Sequence, residues 1–227
     1  MLKSRGYYRE NDNQSNFRID DRWLVVNCTG SIHFSMPFHT RSMAGRNDYY
    51  LLYVHCGELT VNFTYGDRVM RAGDFCLYSP HMPYYYGKDD AESDMVYLWA
   101  HFTGYGVEEL LRLSGFDCGR VYSAGAESAD GVAALFSGLF DSFILDGRER
   151  DVDAAGKLMQ LFATLTRYVS GEKHNRRLKR SIEYISTHYP ENISVPQLAE
   201  MENISCGRYN SVFRECFGVS PKEYITE

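Results

Sequence analysis

The chain has no long apolar run: nothing in it approaches the roughly 20 consecutive apolar residues that a membrane helix needs. Its first twenty residues, "MLKSRGYYRENDNQSNFRID", are polar and lack the apolar core of a secretory signal, so a cytoplasmic location with no membrane partner is the expectation. The six cysteines, Cys28, Cys56, Cys76, Cys118, Cys206 and Cys216, are scattered and include no C-x-x-C pair. That removes the common zinc and redox patterns and leaves reduced thiols used for packing. Also missing are a G-x-S-x-G elbow, a phosphate-binding G-x-x-x-x-G-K-[ST] loop and an H-E-x-x-H helix. No catalytic residue, cofactor or metal is expected. Basic charge is short as well, since 24 Lys and Arg against 30 Asp and Glu leave a net −6, which argues against nonspecific nucleic-acid binding by the molecule as a whole.

That shortage is uneven. From Glu172 to Glu227 there are eight basic and eight acidic residues, so the preceding 171 residues, with 16 against 22, hold the whole acidic excess. Within the tail, "KHNRRLKR" at 173–180 is a local basic cluster, readable as a solvated helix face or as a phosphate contact. At 44% hydrophobic and 24% charged, the chain is ordinary for a globular protein, and its length suits two small domains.

From Trp23 to Phe102 the pattern is that of strands. "YYLLYVHCGELTVNFTYGDRVMRAGDFCLYSP" gives short aromatic and β-branched runs broken at Cys56-Gly57, Gly66-Asp67 and Ala72-Gly73-Asp74, each read as a hairpin turn. Closely spaced strands without helices between them predict an antiparallel sandwich or barrel. After Thr103, Val132, Leu135, Leu139 and Phe143, then Leu158, Leu161, Leu165 and Tyr168, recur at helical spacing. Those two helices serve either as core cover or as a dimer seam. A polar linker is expected at 170–177.

The tail reads as a three-helix unit with a helix-turn-helix, plus the first turn of a further helix. Leu178, Ile182 and Ile185 form the face of a leading helix that stops at Tyr189-Pro190. Ser194-Val195-Pro196-Gln197 is a capping box with proline in the first turn, and Ser205 caps the next helix. Tyr209, Val212, Phe213 and Cys216 make one buried stripe, Gly218 sits where a left-handed cap ends a helix, and Ser220-Pro221-Lys222-Glu223 is a third start signal. With Tyr209 inward, the opposite face carries Gly207, Asn210, Ser211 and Arg214, with Arg208 at its edge. Asn and Arg pair with adenine and guanine edges, and glycine admits a close backbone approach at a helix cost of about 1 kcal/mol relative to alanine. A plain helical bundle is the alternative.

"YISTHYPENISVPQLAEMENISCGRYNSVFRECFGVSPKEYI" resembles the first helix-turn-helix of AraC-type (arabinose-regulator-like) transcription factors, through Leu198-Ala199, Ser205, Phe213, Gly218, Ser220-Pro221 and Tyr224. Ser211 departs from the arginine common there. The family joins two such units by a long helix, and the sequence stops just inside the position of that helix, so a partial DNA-binding domain that binds DNA weakly unless dimerised is expected.

"RNDYYLLYVHCGELTV", "AGDFCLYSPHMPYYYG" and "MVYLWAHFTGY" look like the cupin-type effector domain of sugar-responsive members. Alternation puts Tyr84 and Tyr86 on one strand face, and Tyr97, Trp99 and His101 on another. Aromatic rings with polar tips suit a sugar; a packed aromatic core is the other reading. The resemblance places Tyr86, Tyr97 and Trp99 at pocket contacts, with Tyr97 in place of a histidine. Arg41 matches a pocket arginine only across a one-residue gap, and Arg46 has a second reading as a structural ion-pair partner. The polar arm, residues 1 to about 18, occupies the place of a segment that folds over ligand in relatives, with Tyr7, Tyr8 and Phe17 as its anchors. A metal-dependent cupin enzyme is weighed and set aside, because the H-x-H that it needs does not occur and Tyr84 stands where a later histidine belongs.

The expected organisation is therefore α+β: an arm and cupin-like effector barrel at 1–105, a helical dimerisation segment at 106–171 and a partial DNA-binding domain at 172–227. The expected function is a ligand-responsive transcriptional regulator that acts as a homodimer on DNA. The alternative is an effector-binding dimerisation module that no longer binds DNA alone and poisons a full-length partner.

Overall fold

The structure, a computed structural model, describes residues 2–9, 16–63, 66–90, 93–169, 172–188, 193–217 and 219–226, with only the backbone described for 172–177, 179, 186 and 226. Two compact units divide the chain, Met1–Val169 and Ser170–Glu227. The first is built on antiparallel strands. β1 (Leu2–Tyr8), β2 (Val25–Phe34), β4 (Tyr49–Cys56), β7 (Asp74–Tyr78), β9 (Met95–Thr103) and β10 (Val121–Ser123) form one sheet in the order β1-β2-β9-β4-β7-β10. β3 (Phe38–Ser42), β5 (Glu58–Phe63), β6 (Gly66–Arg71) and β8 (Tyr84–Lys88) form a second, in the order β3-β8-β5-β6. Together with the helices that follow, this is an α+β architecture built on a two-sheet antiparallel barrel.

Only one of the three expected hairpins pairs its own flanks. β5 and β6 are neighbours in the smaller sheet, whereas at Cys56-Gly57 and Ala72-Gly73 the chain crosses between sheets. The reason is burial. β4 is covered on both faces from Tyr50 to Val54, so it belongs in the middle of the larger sheet between β9 and β7, and the half-polar β5 must leave that sheet.

The larger sheet has two apolar faces. Phe34, Tyr50, Leu52, Cys76, Tyr97 and Trp99 look inward, toward the smaller sheet. Leu51, Tyr53, Leu98, Ala100 and Phe102 look the other way, onto α1 (Val107–Ser114), α2 (Ala129–Asp141) and α3 (Gly147–Val169). Val132 and Leu139 of α2 and Leu158, Leu161 and Leu165 of α3 are buried there, so these stripes serve as core cover. Ile144, Val152 and Met159 stay exposed on the outside.

The described part of the arm is itself a strand. β1 pairs along its whole length with β2, from Leu2 opposite Phe34 to Tyr8 opposite Cys28. Successive side chains then take opposite faces: the Tyr7 ring stacks on Phe140 at 5.0 Å, and Tyr8 lies 6.1 Å from Trp99 inside the barrel. Arg9 pairs with Asp151 of α3 at 2.7 Å.

In the second unit the helices are α4 (Glu172–His188), α5 (Val195–Met201), α6 (Cys206–Phe217) and α7 (Pro221–Thr226). Residues 172–177, expected as linker, are the first turns of α4; their polarity is that of a helix end. Leu178, Ile185, Leu198, Ala199, Tyr209, Val212 and Phe213 form the core, with Ile182 and Ile204 packed against it. The Ser194 hydroxyl accepts from the Gln197 amide at 3.4 Å, but the Gln197 side chain does not close the box: its Nε2 donates to the Tyr184 hydroxyl on α4 at 3.0 Å. Ser205 accepts from the Arg208 amide, and Ser220 and Glu223 cap each other reciprocally. The corner between α5 and α6 turns on Asn203, whose φ of 54° is left-handed and tolerable for asparagine. Tyr189-Pro190 and Gly218 lie outside the described residues.

Candidate functional site

Inside the barrel, alternation brings the side chains together. On β9 the odd residues Tyr97, Trp99 and His101 face inward and are buried; on β8 Tyr86 is buried as well, and Tyr84 on the same face is half-buried. The Tyr50 hydroxyl donates to Tyr86 at 3.1 Å, and Tyr97 approaches Tyr86 at 3.5 Å. Tyr50 stacks on His101 at 4.3 Å, and Trp99 lies 5.3 Å from the same imidazole. Burial raises the phenol pKa values of Tyr50, Tyr86 and Tyr97, so these hydroxyls stay protonated and able to donate. The Cys28 thiol is pushed up to about 12, also by burial, which leaves it a packing group. Trp99 needs Gly30 across from it on β2: a Cβ there would stand 2.6 Å from the indole Cζ2.

The two candidate arginines part company. β3 pairs with β8 so that Arg41 stands opposite Tyr85, on the outer face of the smaller sheet. It is exposed, bonded to Met43, and lines a cavity of about 380 Å³ with Asn62, Asp67, Pro83, Tyr84 and Tyr85. Arg41 is therefore not part of the interior cluster, because its neighbours Thr40 and Ser42, not Arg41 itself, have the inward parity. Arg46 does reach the interior, where its charge couples to Tyr8, Cys28 and Tyr84.

Arg46 is held there by a residue that pattern reading did not single out. Its Nε donates to Asp48 Oδ1 at 2.8 Å and its Nη2 to Oδ2 at 3.1 Å, while Asn27 Nδ2 donates to Oδ2 at 2.9 Å. His101 Nδ1 approaches Oδ1 at 3.3 Å without the alignment of a hydrogen bond. Asn27 also donates to the Phe17 carbonyl, tying the end of the arm to the same centre. Burial works against ionisation of Asp48, but His101 and Arg46 outweigh it and hold the carboxyl below the usual carboxylate range. For His101, burial pushes the pKa down and Asp48 only partly restores it. The signal available in the sequence was an acid immediately before a fully apolar strand, in "NDYYLLYV".

Both groups bind protons more readily when the barrel is unfolded. The stability of the first unit is thus expected to be fully present above about pH 7, to fall as His101 is forced to charge below its ordinary value near 6.5, and to fall again through the range where Asp48 must protonate. Each group contributes a slope of at most about 1.4 kcal/mol per pH unit. Thermal denaturation from pH 7 to 5 checks this; an identical slope in His101→Gln would show that His101 is not the group responsible.

The second candidate surface is on α6. Tyr209, Val212 and Phe213 are buried, Gly207, Arg208, Ser211 and Arg214 are exposed, and Asn210 is half-buried. Asn210 and Ser211 bond back to the carbonyls of Cys206 and Gly207 within the helix, so a base contact by either would exchange that bond for another. Gly207 is the second helical residue rather than a mid-helix one. Among the described residues no three His, Cys, Asp or Glu side chains gather where a metal ion could be held, and no helix is long and apolar enough to cross a membrane.

The first unit is thus a double-sheet barrel with an aromatic interior and a buried ion pair, flanked by helices on the outer face of its larger sheet. Residues 31–162, more than half of the chain, match the model of the AraC-like ligand binding domain. The chain belongs to this family. A similar relative is a lactose operon transcription activator from Staphylococcus xylosus, 25% identical over 177 residues, covering 75% of this chain; the chain spans 63% of that relative's length. Among solved structures, apo ToxT K231A from Vibrio cholerae aligns over 92% of this chain and 99% of its own, at 11% identity and a TM-score of 0.40. A cupin domain of an XRE-family transcriptional regulator from Enterobacter cloacae aligns over 35% of this chain and 96% of its own, at 13% identity and a TM-score of 0.29.

Proposed function

We propose that the chain is a ligand-responsive transcriptional regulator, whose barrel takes a small polyhydroxylated molecule of the sugar class and whose α6 enters the DNA major groove. The observation that carries the DNA half is the division of α6: the Tyr209–Phe213 stripe is sealed in the core, and Gly207, Arg208, Ser211 and Arg214 are turned to solvent. The effector half is supported by aromatic faces beside phenol, imidazole and guanidinium tips at Tyr86, Tyr97, Trp99, His101 and Arg46, which is the lining that a sugar's C–H faces and hydroxyls require. The lactose operon activator among its relatives agrees with that class. A homodimer fits the same reading, because two copies present two α6 helices and the exposed Ile144, Val152 and Met159 give an apolar surface for pairing. Ligand in the barrel would shift the populations of arm and helix packing and so the DNA geometry that the dimer accepts.

Gly207 supplies a test with two opposed signs. A Cβ at this position meets nothing within 4 Å, so Gly207→Ala, in the first turn of α6, is expected to stabilise the second unit by about 0.5 kcal/mol or less. DNA binding is expected to weaken about tenfold, since one methyl would stand where the duplex backbone approaches. Fluorescence anisotropy with duplexes selected by the full chain from a random-sequence pool measures the second effect. A pool that yields no enriched sequence, with or without sugar, would count against the reading.

A further inference from the structure

We propose that Asp48 is a charge filter: it makes the barrel select uncharged ligands over anionic ones. This inference rests on the barrel being the effector site. An arginine among the aromatic side chains of a barrel interior would by itself be a seat for a carboxylate or a phosphate, because the guanidinium fork matches two oxygens side by side. Here that seat is taken by the protein's own carboxylate. Nε and Nη2 of Arg46 grip Oδ1 and Oδ2 of Asp48 in the bidentate geometry that an anionic ligand would use.

The Asp48 carboxylate is not at the rim, where solvent would screen it. Its side chain is fully enclosed, while that of Arg46 keeps 19% exposure. The enclosure is maintained from three sides, by Asn27 of β2, His101 of β9 and Arg46 itself. The groups that face the pair are the His101 imidazole, the Asn27 amide, the Cys28 thiol and the Tyr8 and Tyr84 phenols; burial raises the pKa of the thiol and of the Tyr8 phenol and lowers that of His101, so these three favour their neutral forms. The Arg46–Asp48 pair therefore puts one positive and one negative charge in contact at the centre of the barrel. An incoming anion must either displace Asp48 from its fork, leaving a buried carboxylate without its cation, or sit beside a second negative charge in a low-dielectric interior. A neutral polyol meets neither cost and finds hydrogen-bonding groups of both kinds.

The test uses ring skeletons that differ only in charge: glucose and galactose, their uronic acids, and their 2-amino sugars. Titration calorimetry and thermal shift on the full chain are expected to show the neutral sugar binding about 100-fold more tightly than its uronic acid. In Asp48→Asn the order should invert toward the uronic acid, and in Arg46→Gln it should move toward the amino sugar. Should Asp48→Asn not fold, the double variant Arg46→Gln/Asp48→Asn removes both charges together and is expected to bind the three forms without discrimination. Wild-type protein that binds a uronic acid as tightly as its parent sugar would overturn the filter while leaving the barrel as the effector site. So would an Asp48→Asn protein that keeps the wild-type preference. Binding of none of these sugars by any variant would overturn the sugar reading of the barrel and this inference with it.

Discussion

Phe213→Ala is expected to unfold the C-terminal unit while the barrel stays folded. The ring is fully buried and lies 5.6 Å from Tyr209, 4.6 Å from Phe217 and 5.4 Å from Tyr224, so its loss opens a cavity at the meeting point of α6 and α7. Truncations of this kind cost about 3–5 kcal/mol, and a unit this small rarely has more than that in hand. The chain supplies its own control. Of the 13 phenylalanines none but Phe213 and Phe217 is in the tail, and both tryptophans, Trp23 and Trp99, belong to the first unit. Denaturation followed by tryptophan fluorescence should be unchanged, far-ultraviolet circular dichroism should lose the helical signal of the tail, and DNA binding should vanish. A variant that keeps its full helical signal and loses less than about 1 kcal/mol would show that the α6 stripe is not the core it is taken for.

The second large effect is expected at Trp99. Removing its indole takes away the widest apolar face in the barrel and leaves Tyr8 and His101, its ring neighbours at 6.1 and 5.3 Å, without their packing partner. Aromatic anchors in enclosed sites cost 2 kcal/mol or more on truncation, so Trp99→Ala is expected to weaken sugar binding by about 100-fold. Trp99→Phe, which keeps a ring, should lose far less, and that contrast separates a stacking role from simple damage to the fold. Calorimetric titration of the two variants, with melting temperatures alongside, is the measurement. Equal affinity in wild type and Trp99→Ala would move the effector site out of the barrel.

Much of this was readable from local pattern. In "SCGRYNSVFRECF" a residue type every three or four positions fixes which side of a helix must be dry, and Gly207, Arg208, Ser211 and Arg214 lie on the exposed side as expected, while Asn210 is half-buried. The cap residues Ser194, Ser205 and Ser220 each accept from the amide three positions on, and they appear in the structure as expected. In β8 and β9 a period of two likewise sufficed to group Tyr84 with Tyr86 and Tyr97 with Trp99 and His101. Local reading failed where two distant segments compete for one group. Gln197 had a helix amide within reach and took the Tyr184 hydroxyl instead. Gly57 and Gly73 had the composition of hairpin turns, yet the strand beside each was decided by what β4 needed on both of its faces.

The sequence by itself determined the faces: which side of each strand and helix is apolar, where the helices begin, and that α6 turns Gly207, Arg208, Ser211 and Arg214 away from its apolar stripe. Those properties depend on neighbours a few residues apart, so they are written in order along the chain. Only the tertiary structure decided which arginine enters the barrel, because that depends on the register of β3 against β8 and on a carboxylate at Asp48 that binds Asn27 and Arg46 and lies beside His101, contributed by other parts of the chain. Charge compensation in a buried site is a sum over groups far apart in sequence, and it takes a value only once folding has brought them within a few ångströms of one another.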